Sequence, residues 1–142
     1  MTALVNVLIW LHIVGFAMGA AGGMGMGQVG RRLASAGPDD RATWWPLAKA
    51  FAGISGAGLA LLLVTGPVVI WLKYQGPDGL NAWFWAKMAL VAALVVCFGL
   101  DKMGMGRLKR GDEGGAKLMG LAGPLTGLAA FSAAFAAVFA FG

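Results

Sequence analysis

Four long apolar stretches dominate the chain, at residues 3–27, 48–72, 81–100 and 118–141, and charged residues avoid them almost completely. Each reaches the ~20 residues that an α-helix needs to cross ~30 Å of hydrocarbon. The alternation of polar and apolar positions that marks barrel strands is absent. Lipid otherwise admits only helices, because every backbone polar group must be paired there. The pattern therefore predicts an all-α fold, an integral membrane four-helix bundle made of two similar helical hairpins, with residues 1–142 as a single domain. Residues 31–43 and 111–115 read as polar loops at one end. Gln75-Gly76-Pro77-Asp78-Gly79 reads as a tight turn at the other. Pro67 and Pro124 are expected to bend the second and fourth helices. Residues 1–9 carry no Lys or Arg, so the first stretch reads as a spanning helix rather than a cleaved signal peptide.

Composition agrees with this pattern. The chain is 59% hydrophobic and 12% charged, with a mean hydropathy of +0.77, whereas soluble domains are about 25% charged. A net charge of +5 and a pI near 9.9 raise the question of nucleic acid, but the placement of the charges answers it. Of 11 Lys and Arg, nine fall in or beside the first and third connections: Arg31, Arg32, Arg41, Lys49, Lys102, Arg107, Lys109, Arg110 and Lys117. Only Lys73 and Lys87 belong to the opposite side. The positive-inside rule then puts both basic connections in the cytoplasm and both termini outside, which is periplasmic for a bacterial inner membrane. The excess is a topology signal, with attraction to anionic headgroups as its by-product. No nucleic-acid partner is expected. The expected partners are membrane lipids, further copies of the chain and other membrane subunits.

The two halves echo one another. Met24-Gly25-Met26-Gly27 runs into Arg31-Arg32, and Met103-Gly104-Met105-Gly106 runs into Lys109-Arg110. Ala48-Lys49 and Ala116-Lys117 open the following helices, and Trp10-Leu11-His12 is matched by Trp85-Ala86-Lys87. Equal chain directions in the two halves suggest a pseudo-twofold axis along the membrane normal, while convergence of two glycine-rich helix ends stays open as the alternative. Gly15, Gly19, Gly23 and Gly27 form a small-residue stripe on the first helix. Gly123 and Gly127 start a line continued by Phe131, Phe135 and Phe139 on the fourth. Small residues let helix backbones approach in lipid. Trp44 and Trp45 mark the inner interface, and Trp71, Tyr74 and Trp83 the outer one.

The informative residues are those that lipid should reject. His12, the one histidine, lies roughly 14 Å into the first helix, and Lys87 roughly 9 Å into the third from the same side, at 1.5 Å per residue. An ionisable group inside the membrane costs at least ~2.5 kcal/mol and marks a functional site by default. The plain alternatives are a core histidine bonded to a backbone carbonyl and a lysine that snorkels to the headgroups. On the functional reading His12 is the metal ligand. Lys87, Trp10, Trp85 and Met88 complete the candidate cofactor-binding set. A single histidine excludes a bis-histidine haem within one chain, whereas His/Met ligation remains open. The Met-Gly-Met runs suit Cu(I) by ligand type, but residues two apart on a helix do not share a face, so gap-filling accounts for them better. Asp101 is expected to pair with Lys102, and Cys97 to be a buried inert thiol. No Ser/His/Asp or paired-carboxylate arrangement offers catalysis.

Trp10-Leu11-His12-Ile13 together with Trp85-Ala86-Lys87-Met88-Ala89-Leu90-Val91 resembles the HemJ-type protoporphyrinogen oxidases, which are similar in style to copper-resistance D-type membrane proteins. The resemblance implies a helical bundle, a b-type haem or porphyrin as cofactor, His12 as its ligand and Lys87 as a site lysine. Of the Arg…Asn-Glu-x-Pro pattern that opens that family's last helix, only Pro124 is present here. Three functions follow as expectations: a haem- or porphyrin-binding membrane protein, a non-catalytic accessory subunit of a larger respiratory or photosynthetic complex, and a metal or small-solute permease.

Overall fold

A computed structural model describes residues 2–75 and 81–141. Four helices account for nearly all of them: α1 (Thr2–Ser35), α2 (Pro38–Tyr74), α3 (Ala82–Lys109) and α4 (Gly114–Phe141). All four are long and apolar enough to cross a membrane, so the chain is a small multi-pass membrane protein. Helices of 34 and 37 residues measure about 51 and 55 Å at 1.5 Å per residue, well beyond the ~30 Å of hydrocarbon. The surplus lies at the basic end.

There the expected loops shrink. Residues 31–43 are almost wholly helical, and only Ala36 and Gly37 separate α1 from α2. Pro38 lacks an N–H to leave unpaired at the first turn of α2, and Asp39 and Asp40 place negative charge on the N-terminal end of its dipole. Within 111–115, Gly111 turns the chain with a φ of 84° and α4 begins at Gly114. Ala48-Lys49 consequently sits well inside α2 rather than opening it. Both helices that contain proline run through it without interruption, at Pro46 and Pro67 in α2 and Pro124 in α4. At the opposite end Gln75, with a φ of 58°, closes α2. The remainder of the expected turn, residues 76–79, lies outside the described residues.

The helices pack as two hairpins, α1 on α2 and α3 on α4, joined by a broad α1–α4 contact. By contrast α2 and α3 barely touch. A pseudo-twofold relation would make those two interfaces alike, so the hairpins do not assemble symmetrically. The α1–α4 crossing depends on glycine. A Cβ on Gly27 would lie 2.9 Å from Cα of Gly123, and one on Gly30 would lie 2.7 Å from the Gly120 nitrogen. Gly15 and Gly22 instead meet α2, at Gly58 and Ser55. The glycine stripe thus serves two neighbours as it winds around the helix.

The basic half is pinned. Met26, Val29, Leu33, Ala48, Ala52, Leu108, Ala116 and Met119, from all four helices, form one core cluster with Trp44 and Trp45 against its edge. Arg41 and Glu113 form a 2.9 Å ion pair across the two hairpins at the same end. The opposite half carries its ties within hairpins. The Asn81 side chain caps α3 by accepting from Phe84 N–H at 3.2 Å, and its amide donates to the Phe139 carbonyl of α4 at 3.0 Å. Hairpins fastened at one end and separate at the other leave a cleft between them.

Candidate functional site

That cleft encloses about 570 Å³, within the range of cavities that hold small molecules and cofactors. α1 contributes His12 and α2 its partner. His12 Nδ1 lies 2.8 Å from Thr65 Oγ1, and that hydroxyl donates its one hydrogen to the Leu61 carbonyl at 2.6 Å. With the hydroxyl proton committed, the imidazole donates from Nδ1–H, and Nε2 carries the lone pair. Orientation by a second residue is what metal-binding histidines require. The adjacent Gly66 leaves space for the ring: a Cβ there would stand 3.3 Å from His12 Cε1. His12 is therefore held by a side-chain hydroxyl and not by the backbone carbonyl that its solitary position suggests.

The cleft also receives Lys87 and Met88 from α3 and Lys73 and Tyr74 from α2. Histidine and lysine, 75 residues apart in sequence, share one cavity. Lys73 is exposed, with its ammonium 5.3 Å from the Tyr74 ring centroid. Ala133, Ala134 and Ala137 make a wall of small side chains on α4, and Phe16, Leu62 and Leu94 form the floor. Those three floor residues also roof a small void of about 20 Å³ that Ser55 and Thr126 line on its inner side. Among the described residues no Asp or Glu lines the cleft.

Trp10 and Trp85 are not brought to it. They are 60% and 61% exposed and project outward from the bundle. Thr65, Lys73 and Tyr74 are the site residues that the sequence pattern leaves unmarked. The visible signal for Thr65 is its place in Thr65-Gly66-Pro67, where Gly66 leaves room on α2 for a side chain from α1.

Asp101 does not pair with Lys102. It is 3% exposed on the inward face of α3, and its Oδ1 has no hydrogen-bond partner. Lys102 is exposed, with its ammonium 5.3 Å from the Phe98 ring. Adjacent helical residues point about 100° apart, which separates them. Cys97 is a buried free thiol, as expected. Met26 is core and Met24 is 42% exposed, so the Met-Gly-Met run presents its sulfurs to opposite faces. Among the described residues no group of three or more His, Cys, Asp or Glu side chains converges to hold a metal ion.

No protein-family model, characterised protein or solved structure matches the chain.

Proposed function

We propose that this small multi-pass protein holds a b-type haem or a related porphyrin in the outer half of a bacterial inner membrane, with both termini periplasmic. One observation carries the reading: the single histidine opens into an apolar, cofactor-sized cleft with its Nδ1 committed to Thr65 and its Nε2 left as a ligand. The donor set fits an iron that brings most of its own ligands. A porphyrin brings four nitrogens of its own and would need only one or two ligands from the protein, which His12, with Met88 as a second candidate, would provide. A bare ion would need the cluster of side chains that the described residues lack. Lys87 and Lys73 suit the carboxylates of the macrocycle, and the apolar walls suit its faces. Haem bound there would supply one-electron chemistry, while the chain's residues hold, orient and shield it. The nine basic residues at the pinned end support the topology.

The deciding experiment is an absorption spectrum of detergent-purified, haem-supplemented protein, oxidised and reduced. A Soret band that shifts on reduction and is abolished by His12→Ala is expected. Protein that stays colourless at every loading contradicts the reading and favours the accessory-subunit role.

A further inference from the structure

Among the described residues Asp101 is the one carboxylate drawn into the packed part of the bundle. Asp39 and Asp40 sit exposed at the start of α2, and Asp112 and Glu113 sit exposed between α3 and α4. The last two have partners, Arg107 at 3.0 Å and Arg41 at 2.9 Å. Asp101 is 3% exposed, and its Oδ1 meets no donor. No cation stands in for one. Eight of the nine basic residues at this end are exposed, and the ninth, Arg41, is bound to Glu113. The neighbouring helices turn inward Met26 and Val29 of α1, Ala48 and Ala52 of α2, and Met119 and Ala122 of α4, none of them ionisable. On the buried face of α3 the adjacent titratable side chain is Cys97, one turn away.

The carboxyl is also closed off from water. Just toward the basic end, α3 and α4 meet backbone to backbone. A Cβ on Gly104 would stand 2.7 Å from the Met119 side chain and 2.8 Å from the Gly115 carbonyl oxygen. Leu108, 8% exposed, follows one turn further on. A helical side chain leans toward the N-terminus of its own helix, so Asp101 tilts away from the basic end, over the turn of Cys97. Asp101 is not among the residues that line the small void beyond that turn.

An ionised carboxylate held in such a place without a counter-charge is strongly disfavoured, and the group takes up a proton instead. Among the described residues no three His, Cys, Asp or Glu side chains converge for a metal ion, so a proton is the occupant that the site fits. We propose that Asp101 is a proton-binding site, a neutral carboxylic acid while α3 and α4 are closed, which releases its proton to water at the basic end when the Gly104–Gly115 contact parts. In that step the carboxyl O–H bond breaks, its electron pair stays on the carboxylate, and a water molecule carries the proton away. The site is separate from the cleft and independent of any cofactor there.

Infrared spectroscopy of the full chain in an ester-free detergent at neutral pH reads the acid directly. The native protein is expected to show the carbonyl stretch of a protonated carboxylic acid, shifted by carbon-13 labelling of aspartate. Asp78→Asn and Asp112→Asn should retain that band, and Asp101→Asn should lose it. In deuterium oxide the band of the native protein should exchange slowly. Gly104→Ala, which wedges the contact, should keep the band and speed its exchange. If Asp101→Asn does not fold, the isotope shift and the slow exchange assign the band without it, because Asp39, Asp40 and Asp112 are exposed and Asp78→Asn accounts for the remaining aspartate. Absence of an acid carbonyl at neutral pH, or one that deuterium replaces at once in the native protein, overturns the proposal.

Discussion

A single hydroxyl decides what His12 can do. Because Thr65 spends its hydrogen on the Leu61 carbonyl, it can only accept from the imidazole, and this sets which nitrogen faces the cleft. Thr65→Val keeps the shape and removes the acceptor. Loss of such a supporting partner typically weakens metal affinity 10–100-fold, so a haemin titration of Thr65→Val should show that drop with the helical content unchanged. Unaltered affinity would mean that the ring is oriented by packing alone. The same scale shows where the sequence is silent. His12 and Lys87 announce themselves, since an ionisable group deep in an apolar run is costly. Thr65 does not, because a threonine can satisfy itself on its own helix, as Thr126 does with the Ala122 carbonyl at 2.9 Å. Trp10 and Trp85 draw attention by their symmetry with His12 and Lys87, yet two residues of helix turn them about 200° away, outward.

At the scale of the elements, four spanning helices are legible from hydropathy alone, and their outer ends fall within two residues of the expected ones. The inner ends are not legible. Arg31, Arg32 and the polar 31–43 run look like loop because the membrane signal stops there, but a helix needs apolar character only where lipid surrounds it. Beyond the bilayer α1 and α2 continue to pack, burying Leu33 completely. Glycine spacing on α1 correctly indicates close approach, but the neighbour each glycine meets depends on the angle at which helices cross. Gly123→Val tests that crossing. Its side chain would be driven into the Gly27 backbone, which cannot move as a side-chain rotamer does. The cost should reach or exceed the ~1–3 kcal/mol of ordinary overpacking. Gly53→Val, at a position where an added Cβ meets nothing within 4 Å, should change stability by less than about 0.5 kcal/mol. Thermal unfolding in detergent distinguishes the two; equal stability would put the α1–α4 contact elsewhere.

For the whole molecule, the division into a pinned basic half and an open opposite half matters most. Glycine contacts, the four-helix core cluster and the Arg41–Glu113 bridge gather at the basic end. The hairpins part toward the other end and create the cavity. Repetition between the halves suggests symmetry, but a repeat in sequence fixes only what each hairpin is, and not the face it turns to the other. The proposed orientation rests on charge placement and can be tested directly. With Cys97 replaced by Ser, a cysteine introduced at exposed Gly37, between α1 and α2, should resist membrane-impermeant maleimide in intact cells and react after permeabilisation. Labelling in intact cells would invert the topology and place the cleft in the inner leaflet.

The presence of only one histidine makes the central claim directly measurable. A nitrogen-15 spectrum of histidine-labelled protein in lipid should report a neutral ring protonated at Nδ1, with the Nε2 resonance shifted when haem's iron-free analogue or a diamagnetic metalloporphyrin is added and the metal-containing form shifting it further. A ring protonated at Nε2, or one whose Nε2 resonance ignores every porphyrin, would contradict the claim that His12 is presented to the cleft as a ligand.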